Sequence, residues 1–175
     1  MVEYRMTGVL ELAQTDHEHI LALFVRLLEA DTPALRRQLT STLARELQCH
    51  AATEAATLYA ALRELPGAGD LMADAAAEHD EVREALDDLV ATAPDDPTWG
   101  EMLAALRTRV EQHIETEEGE IFSVAEELLS AARLLELGDA FSRLARQASA
   151  GSTSLAGHPY MRAPALRAAV PYLRI

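Results

Sequence analysis

A single cysteine, Cys49, rules out an internal disulfide, and with it the usual sign of an oxidising compartment. Aromatic residues make up only 5% of the 175 residues, and β-branched residues are sparse. Sheets draw on both, so extended structure is disfavoured. No apolar run approaches the roughly 18 residues of a membrane span. The opening stretch, MVEYRMTGVLELAQTDHEH, lacks the cationic start and apolar core of a signal peptide. A reduced, cytoplasmic setting is therefore expected. Positive charge is also scarce: 15 Lys and Arg face 29 Asp and Glu, for a formal net charge of −14. Such a surface repels phosphate backbones and anionic lipid, so neither nucleic acid nor a membrane is expected as a partner.

What remains is Ala, Leu and Glu in abundance, the composition of an all-α protein. The length suits one domain with its own core. Four long segments carry helical periodicity between clear stop signals. The first runs from Thr7, a candidate cap, to Ala30, striped by Leu10, Ala13, Ile20, Leu21, Phe24 and Leu28. Asp31-Thr32-Pro33 supplies a turn, a cap and a proline in the first helical position, opening a second segment that continues to Leu65. After Pro66-Gly67-Ala68-Gly69, Asp70 is read as the cap of a third, ending near Thr92. Asp96-Pro97 repeats the cap-then-proline signal before a fourth, which Gly119 interrupts with an expected local kink. Ser130 is read as the cap of a shorter fifth helix through Leu144. An up-down four-helix bundle with that fifth helix is expected over residues 1–147. Residues 148–175, with three prolines and no sustained period, are expected to be a mainly irregular tail.

The polar residues hide a repeat. Asp16-His17-Glu18-His19-Ile20 resembles Glu78-His79-Asp80-Glu81-Val82, and His50 and Glu54 recur 63 residues later as His113 and Glu117. Leu58-Tyr59 recurs as Ile121-Phe122 at the same offset. Each half thus reads as a hairpin carrying a histidine and then, about 33 residues on, His-x-x-x-Glu. Residues four apart share a helix face. Projected at about 100° per residue, all four histidines fall on the apolar stripes of their helices. Six ionisable side chains therefore point into a core, where each unpaired group would cost several kcal/mol. Two metal ions would satisfy them, since imidazoles and carboxylates together suit iron, manganese or zinc, and carboxylates can span two ions.

The order His…His-x-x-x-Glu…His…His-x-x-x-Glu, with the run His113-Ile-Glu-Thr-Glu-Glu118 and a trailing AEELLS, resembles the hemerythrin family, in particular the bacterial hemerythrin-like HHE cation-binding domains. The resemblance spans roughly residues 7–146. It implies that His17, His50, His79 and His113 are terminal ligands and that Glu54 and Glu117 bridge two non-haem iron ions, themselves linked by oxo or hydroxo, in preference to manganese or zinc. Ferritin-like centres instead use Glu-x-x-His. One departure is clear. Invertebrate oxygen carriers of the family have a fifth histidine where this chain has Ala75, which counts against reversible oxygen carriage of their kind.

Other polar residues receive blander readings. His19 lies about 200° around the helix from His17 and reads as solvated. Cys49 reads as a packed thiol, and His158, in the proline-containing tail, as structural or idle. Asp16 and Glu78 read as solvated carboxylates, with orientation of a ligand the alternative. Glu118 is a competitor of Glu117 for metal, disfavoured by the repeat. Tyr59 and Phe122 read as core packing, and Tyr4, Tyr160 and Tyr172 sit in end segments. The expected function is binding of dioxygen, peroxide or nitric oxide for sensing, storage or detoxification. Alternatives are a peroxide-decomposing enzyme and a metal-stabilised interaction module.

Overall fold

The computed structural model describes residues 7–150, and all regular structure among them is helical. The helices are α1 (Val9–Leu28), α2 (Pro33–Ala56), α3 (Leu58–Arg63), α4 (Gly69–Ala91), α5 (Trp99–Thr116), α6 (Phe122–Leu128) and α7 (Ala131–Ala150), with a π-helical turn at Glu117–Ile121 between α5 and α6. Four rods result: α1, α2 continued by α3, α4, and α5 continued through the π turn into α6. Contacts run α1–α2, α2–α4, α4–α5 and α5–α1, which closes the square of an up-down bundle, and α7 lies along α1 and α2. His158, Tyr4, Tyr160, Tyr172 and nearly all of the expected tail lie outside the described residues.

Several boundaries follow from local chemistry. Thr32 caps α2, its hydroxyl accepting from Leu35 N at 3.2 Å ahead of Pro33 at the start of the helix. Ser130 caps α7 likewise, accepting from Arg133 N at 3.2 Å. Other expectations need correction. Gly8, not Thr7, precedes α1, and no side chain caps it. Asp70 sits inside the first turn of α4, as a favourable negative charge rather than a cap. Asp96 accepts from Thr98 N and Oγ1 at 2.8 and 2.6 Å, so Asp96 and Pro97 shape a turn and α5 begins only at Trp99. The fifth helix is not short: it spans 20 residues and runs past the expected boundary at 147. Leu28 and Leu128 are exposed, the α1 stripe passing instead through Leu23 and Leu27.

The two rods carrying His-x-x-x-Glu are both irregular just after the glutamate. In the first, Thr57 breaks the helix, its hydroxyl turned back to Thr53 O at 2.7 Å. In the second, the chain widens into the π turn, closed by Phe122 N–H on Glu117 O. The expected kink at Gly119 takes this form. π-Helical turns gather at functional sites because they re-aim the residues they contain.

The core has two apolar clusters. One holds Phe24, Leu43, Leu86 and Leu106 and the other Val9, Leu62, Met72 and Phe141. On every rod the six histidines and glutamates fall between them: His17 between Ala13 and Ile20, His50 and Glu54 between Leu47 and Leu58, His79 between Ala75 and Val82, and His113 and Glu117 between Val110 and Ile121. The antiparallel rods thus bring the six to one level as a polar layer inside the bundle.

Gly138 lets α7 approach the start of α1. A Cβ there would collide with the Thr7 carbonyl oxygen and stand 3.0 Å from both Gly8 C and Val9 N. Gly138→Ala should therefore destabilise by about 1–3 kcal/mol, against a helix-propensity gain of about 1 kcal/mol. The expected result is a melting temperature lowered by a few degrees. An unchanged or raised value would refute the close packing.

Candidate metal centre

His17, His50, His79, His113, Glu54 and Glu117 are all buried, none more than 5% exposed, and the two glutamates are fully enclosed. They meet as two groups. In the first, His17, His50, Glu54 and Glu117 each bring one donor atom within 4.8 Å of the others. In the second, Glu54, His79 and His113 do so. Glu54 belongs to both: its Oε1 lies 3.2 Å from His50 Nε2 and 3.8 Å from His17 Nε2, and its Oε2 lies 3.7 Å from His79 Nε2. Glu117 Oε2 also faces both ways, 3.1 Å from His17 Nε2 and 3.7 Å from His113 Nε2. His79 and His113 bring their Nε2 atoms to 3.0 Å.

The two Nε2 atoms of His79 and His113 are within hydrogen-bond reach of each other, but the contacts of the glutamates are close without hydrogen-bond geometry. His17 Nε2, His50 Nε2 and all four carboxylate oxygens of Glu54 and Glu117 are buried with no hydrogen-bond partner. Buried polar groups are otherwise nearly always paired. Donors that crowd together without aiming at one another converge on a third point, as ligands round a cation do. Their electrostatics agree. Burial, then the charge of Glu117, holds the Glu54 carboxyl well above its ordinary range. Burial also acts on Glu117, but the hydrogen-bonding reach of His17 and the neighbouring histidine charges outweigh it and hold this carboxyl low. Burial, then the neighbouring His113, pushes His79 well below an ordinary histidine, and burial lowers His50 as well. His17 differs: burial lowers it, but Glu117 and Glu118 together leave it raised. Cations placed between the two carboxylates would relieve their mutual repulsion and take up the lone pairs of the histidines.

A second layer of carboxylates stands behind the imidazoles. His17 Nδ1–H donates to Glu118 Oε1 at 2.8 Å, and His113 Nδ1–H to Glu78 Oε2 at 3.1 Å. Asp16 Oδ2 stands 3.6 Å from His50 Nδ1. Glu78 also accepts from Thr116 Oγ1 at 3.1 Å. The reading of Glu78 as a solvated carboxylate is therefore corrected. Asp16, its side chain 40% exposed, stands near His50, and Glu118, weighed only as a rival of Glu117, touches the far nitrogen of His17 instead. The signal for the first two was the acid before each repeated histidine; for Glu118 no repeat signal existed. His19 is exposed, as expected, and Cys49 is half-buried beside the layer. Phe122 stacks on His17, with centroids 6.3 Å apart and planes at 11°, and Tyr59 on His79 at 5.5 Å and 26°. The repeat thus extends to the rings that wall the site. The Tyr59 hydroxyl is buried, and burial with the charges of Glu117 and Glu54 keeps the phenol well above its usual range.

Known proteins share the family and the fold. Residues 9–125 match the hemerythrin HHE cation binding domain. A solved structure of a hemerythrin HHE cation binding domain-containing protein from Mycobacterium kansasii superposes with a TM-score of 0.77 at 27% identity, covering 93% of this chain and 99% of that one. A DNA nickase from Nostoc sp. is 24% identical over 124 residues, which is 71% of this chain and 35% of that protein. The chain thus spans about a third of the length of that relative.

Proposed function

The chain belongs to the hemerythrin HHE cation-binding domain family and is a metal-binding protein; from that premise we propose that it holds two non-haem iron ions and binds dioxygen, peroxide or nitric oxide beside them, in sensing, storage or detoxification. The observation that carries this reading is the sharing of Glu54 and Glu117 between two groups of histidines. Four imidazoles would be terminal ligands and the two carboxylates bridges, a mixed set that suits iron. Bound iron would supply ferrous–ferric redox chemistry and coordination positions open to a small molecule. The protein's own part is to hold the donors in place and to exclude bulk.

A cavity of about 20 Å³ supports a small ligand. All four histidines line it, with Leu47, Val82, Leu86 and Val110 among its apolar walls. Such a space is enough for a molecule of about the size of water. Ala75 is buried at 1% exposure one helical turn before His79, so its methyl group brings no fifth nitrogen. That absence of a donor favours peroxide decomposition as the second reading. The nickase activity of the Nostoc relative is not carried over, because most of that protein is unmatched and a net charge of −14 opposes a phosphate backbone. No helix among the described residues is long and apolar enough to cross a membrane.

Metal analysis of protein from iron-replete cells, with absorption spectra before and after peroxide, tests the proposal. Two irons per chain and ferric bands that respond to peroxide are expected. Sustained peroxide consumption above that of free iron, lost in His113→Ala, selects the enzyme. A folded chain that refuses added iron, or one that carries only zinc and gives no spectral response, overturns the iron reading.

A further inference from the structure

The two donor groups are not equivalent. The group around His17 and His50 offers four ligand atoms within 4.8 Å, and the group around His79 and His113 only three. The outer carboxylates are uneven in the same sense. Glu118 takes the Nδ1–H of His17 at 2.8 Å and Asp16 stands 3.6 Å from His50 Nδ1, so both histidines of the first group have an acid behind them. In the second group Glu78 serves His113. His50 Nδ1 and His79 Nδ1 are both buried without a hydrogen-bond partner, but His50 has the Asp16 carboxylate 3.6 Å away.

The repeat explains the gap. Asp16 and Glu78 are counterparts, each beside the second histidine of its own half, at 3.6 Å from His50 Nδ1 and 3.1 Å from His113 Nδ1. Glu118 reaches across from the second half to His17 in the first. Its counterpart 63 residues earlier, which would reach His79, is Ala55, buried at 1% exposure. One half of the bundle has lost, or never had, the acid that the other half uses.

A carboxylate on the far nitrogen of a ligating histidine fixes its tautomer, aims its lone pair and raises its basicity; loss of such a partner typically costs 10–100-fold in metal affinity. Resting on the two-metal reading above, we infer that the two positions differ in affinity for divalent cations by at least about tenfold. The His17–His50 position fills first and holds its ion, and the His79–His113 position fills second and exchanges. Glu118 is the positioning residue that sets much of the difference.

The test is titration of the metal-free full chain with Co(II), followed by visible absorption. Wild type should show two separable steps of one ion each. Glu118→Ala should weaken the first step by about 10–100-fold and leave the second where it was. The metal-free melting temperature should hardly move, since the Glu118 side chain is 34% exposed; a merely structural role would not shift one step alone. As a second check, His79→Ala should keep one ion at the affinity of the first step, whereas His17→Ala should lose the tight step. Uptake of two ions in one step, or a Glu118→Ala effect confined to the second step, overturns the inference and leaves the two-metal reading standing. No uptake of metal by the folded wild type overturns both.

Discussion

Glu117→Gln is expected to strip the chain of most of its metal while leaving it folded, and Glu54→Gln to do the same; His19→Ala should leave metal content unchanged. Each glutamate touches both donor groups, Glu54 through separate oxygens and Glu117 through Oε2, so its loss unlinks two positions at once. Removing an outer partner of a ligand costs about 10–100-fold. Removing a shared ligand should cost more than 100-fold, enough to empty the site during purification. The fold should respond differently to the two changes. Both glutamates are fully buried with unpaired oxygens, a liability in a metal-free core. Glutamine keeps the shape and cannot ionise. Metal-free Glu54→Gln, which replaces a carboxyl whose ionisation burial already disfavours, should therefore melt at or above the metal-free wild type, whereas Glu117→Gln gives up the partner of His17 and should melt lower. Metal content by elemental analysis and melting by circular dichroism read the two effects separately. If Glu117→Gln keeps its metal, or His19→Ala alone loses it, the assignment of the helix faces is wrong.

The cost of burying such groups explains why the site could be read so early. An apolar stripe tolerates a histidine or glutamate only when something compensates the burial, so four histidines on four stripes stand out against any core. Ligands from one helix must also share a face, which confines the signal to a spacing of four, and a duplicated hairpin prints it twice. Bundle topology was legible for a related reason: Thr32, Ser130 and the Pro-Gly turn act through their nearest neighbours.

What escaped depends on packing between rods. The Glu118–His17 bond joins residues 101 apart and the Glu78–His113 bond residues 35 apart, and neither pairing has a local periodicity. For Glu118 the repeat even misleads, because Ala55 occupies its counterpart. The break at Thr57 and the π turn at Glu117–Ile121 are equally invisible to a 3.6-residue period, though they fall at matching places in the two halves. Leu28 fits the stripe of α1 in projection, but the rod is rotated so that Leu23 and Leu27 fill the core and Leu28 faces out. Helix rotation is set by neighbours, and one leucine among several seldom decides it.

Metal loading should be the largest single contribution to the stability of this chain, and the contribution should depend steeply on pH. An ion present at a thousandfold excess over its Kd stabilises the folded state by about 4 kcal/mol per site. For a chain of this size each kcal/mol moves the melting temperature by about 2–4 °C, so one filled site should raise it by roughly 8–16 °C. The pH dependence follows from which protons the ion must displace. His17 is raised above its ordinary 6.5 and Glu54 well above 4.5, so the metal-free fold carries protons on both groups at a pH where the unfolded chain has begun to release them. Their contribution to metal-free stability is complete below those ordinary values and is lost as pH rises through the folded ones. His50 and His79 act in the other direction. Held below 6.5 by burial, they stay neutral while the unfolded chain takes up protons, so metal-free stability also falls as the pH drops below 6.5. Metal locks all these groups in their deprotonated forms and must expel the protons of His17 and Glu54 to bind. The melting increment between metal-free and loaded protein should therefore widen from about pH 5.5 to about pH 7.5, with protons released on loading. Paired melts across that range, with a calorimetric proton count in two buffers, measure both. An increment that is flat with pH would mean that the ion sits elsewhere, and its absence would reduce the polar layer to a core held by histidines alone.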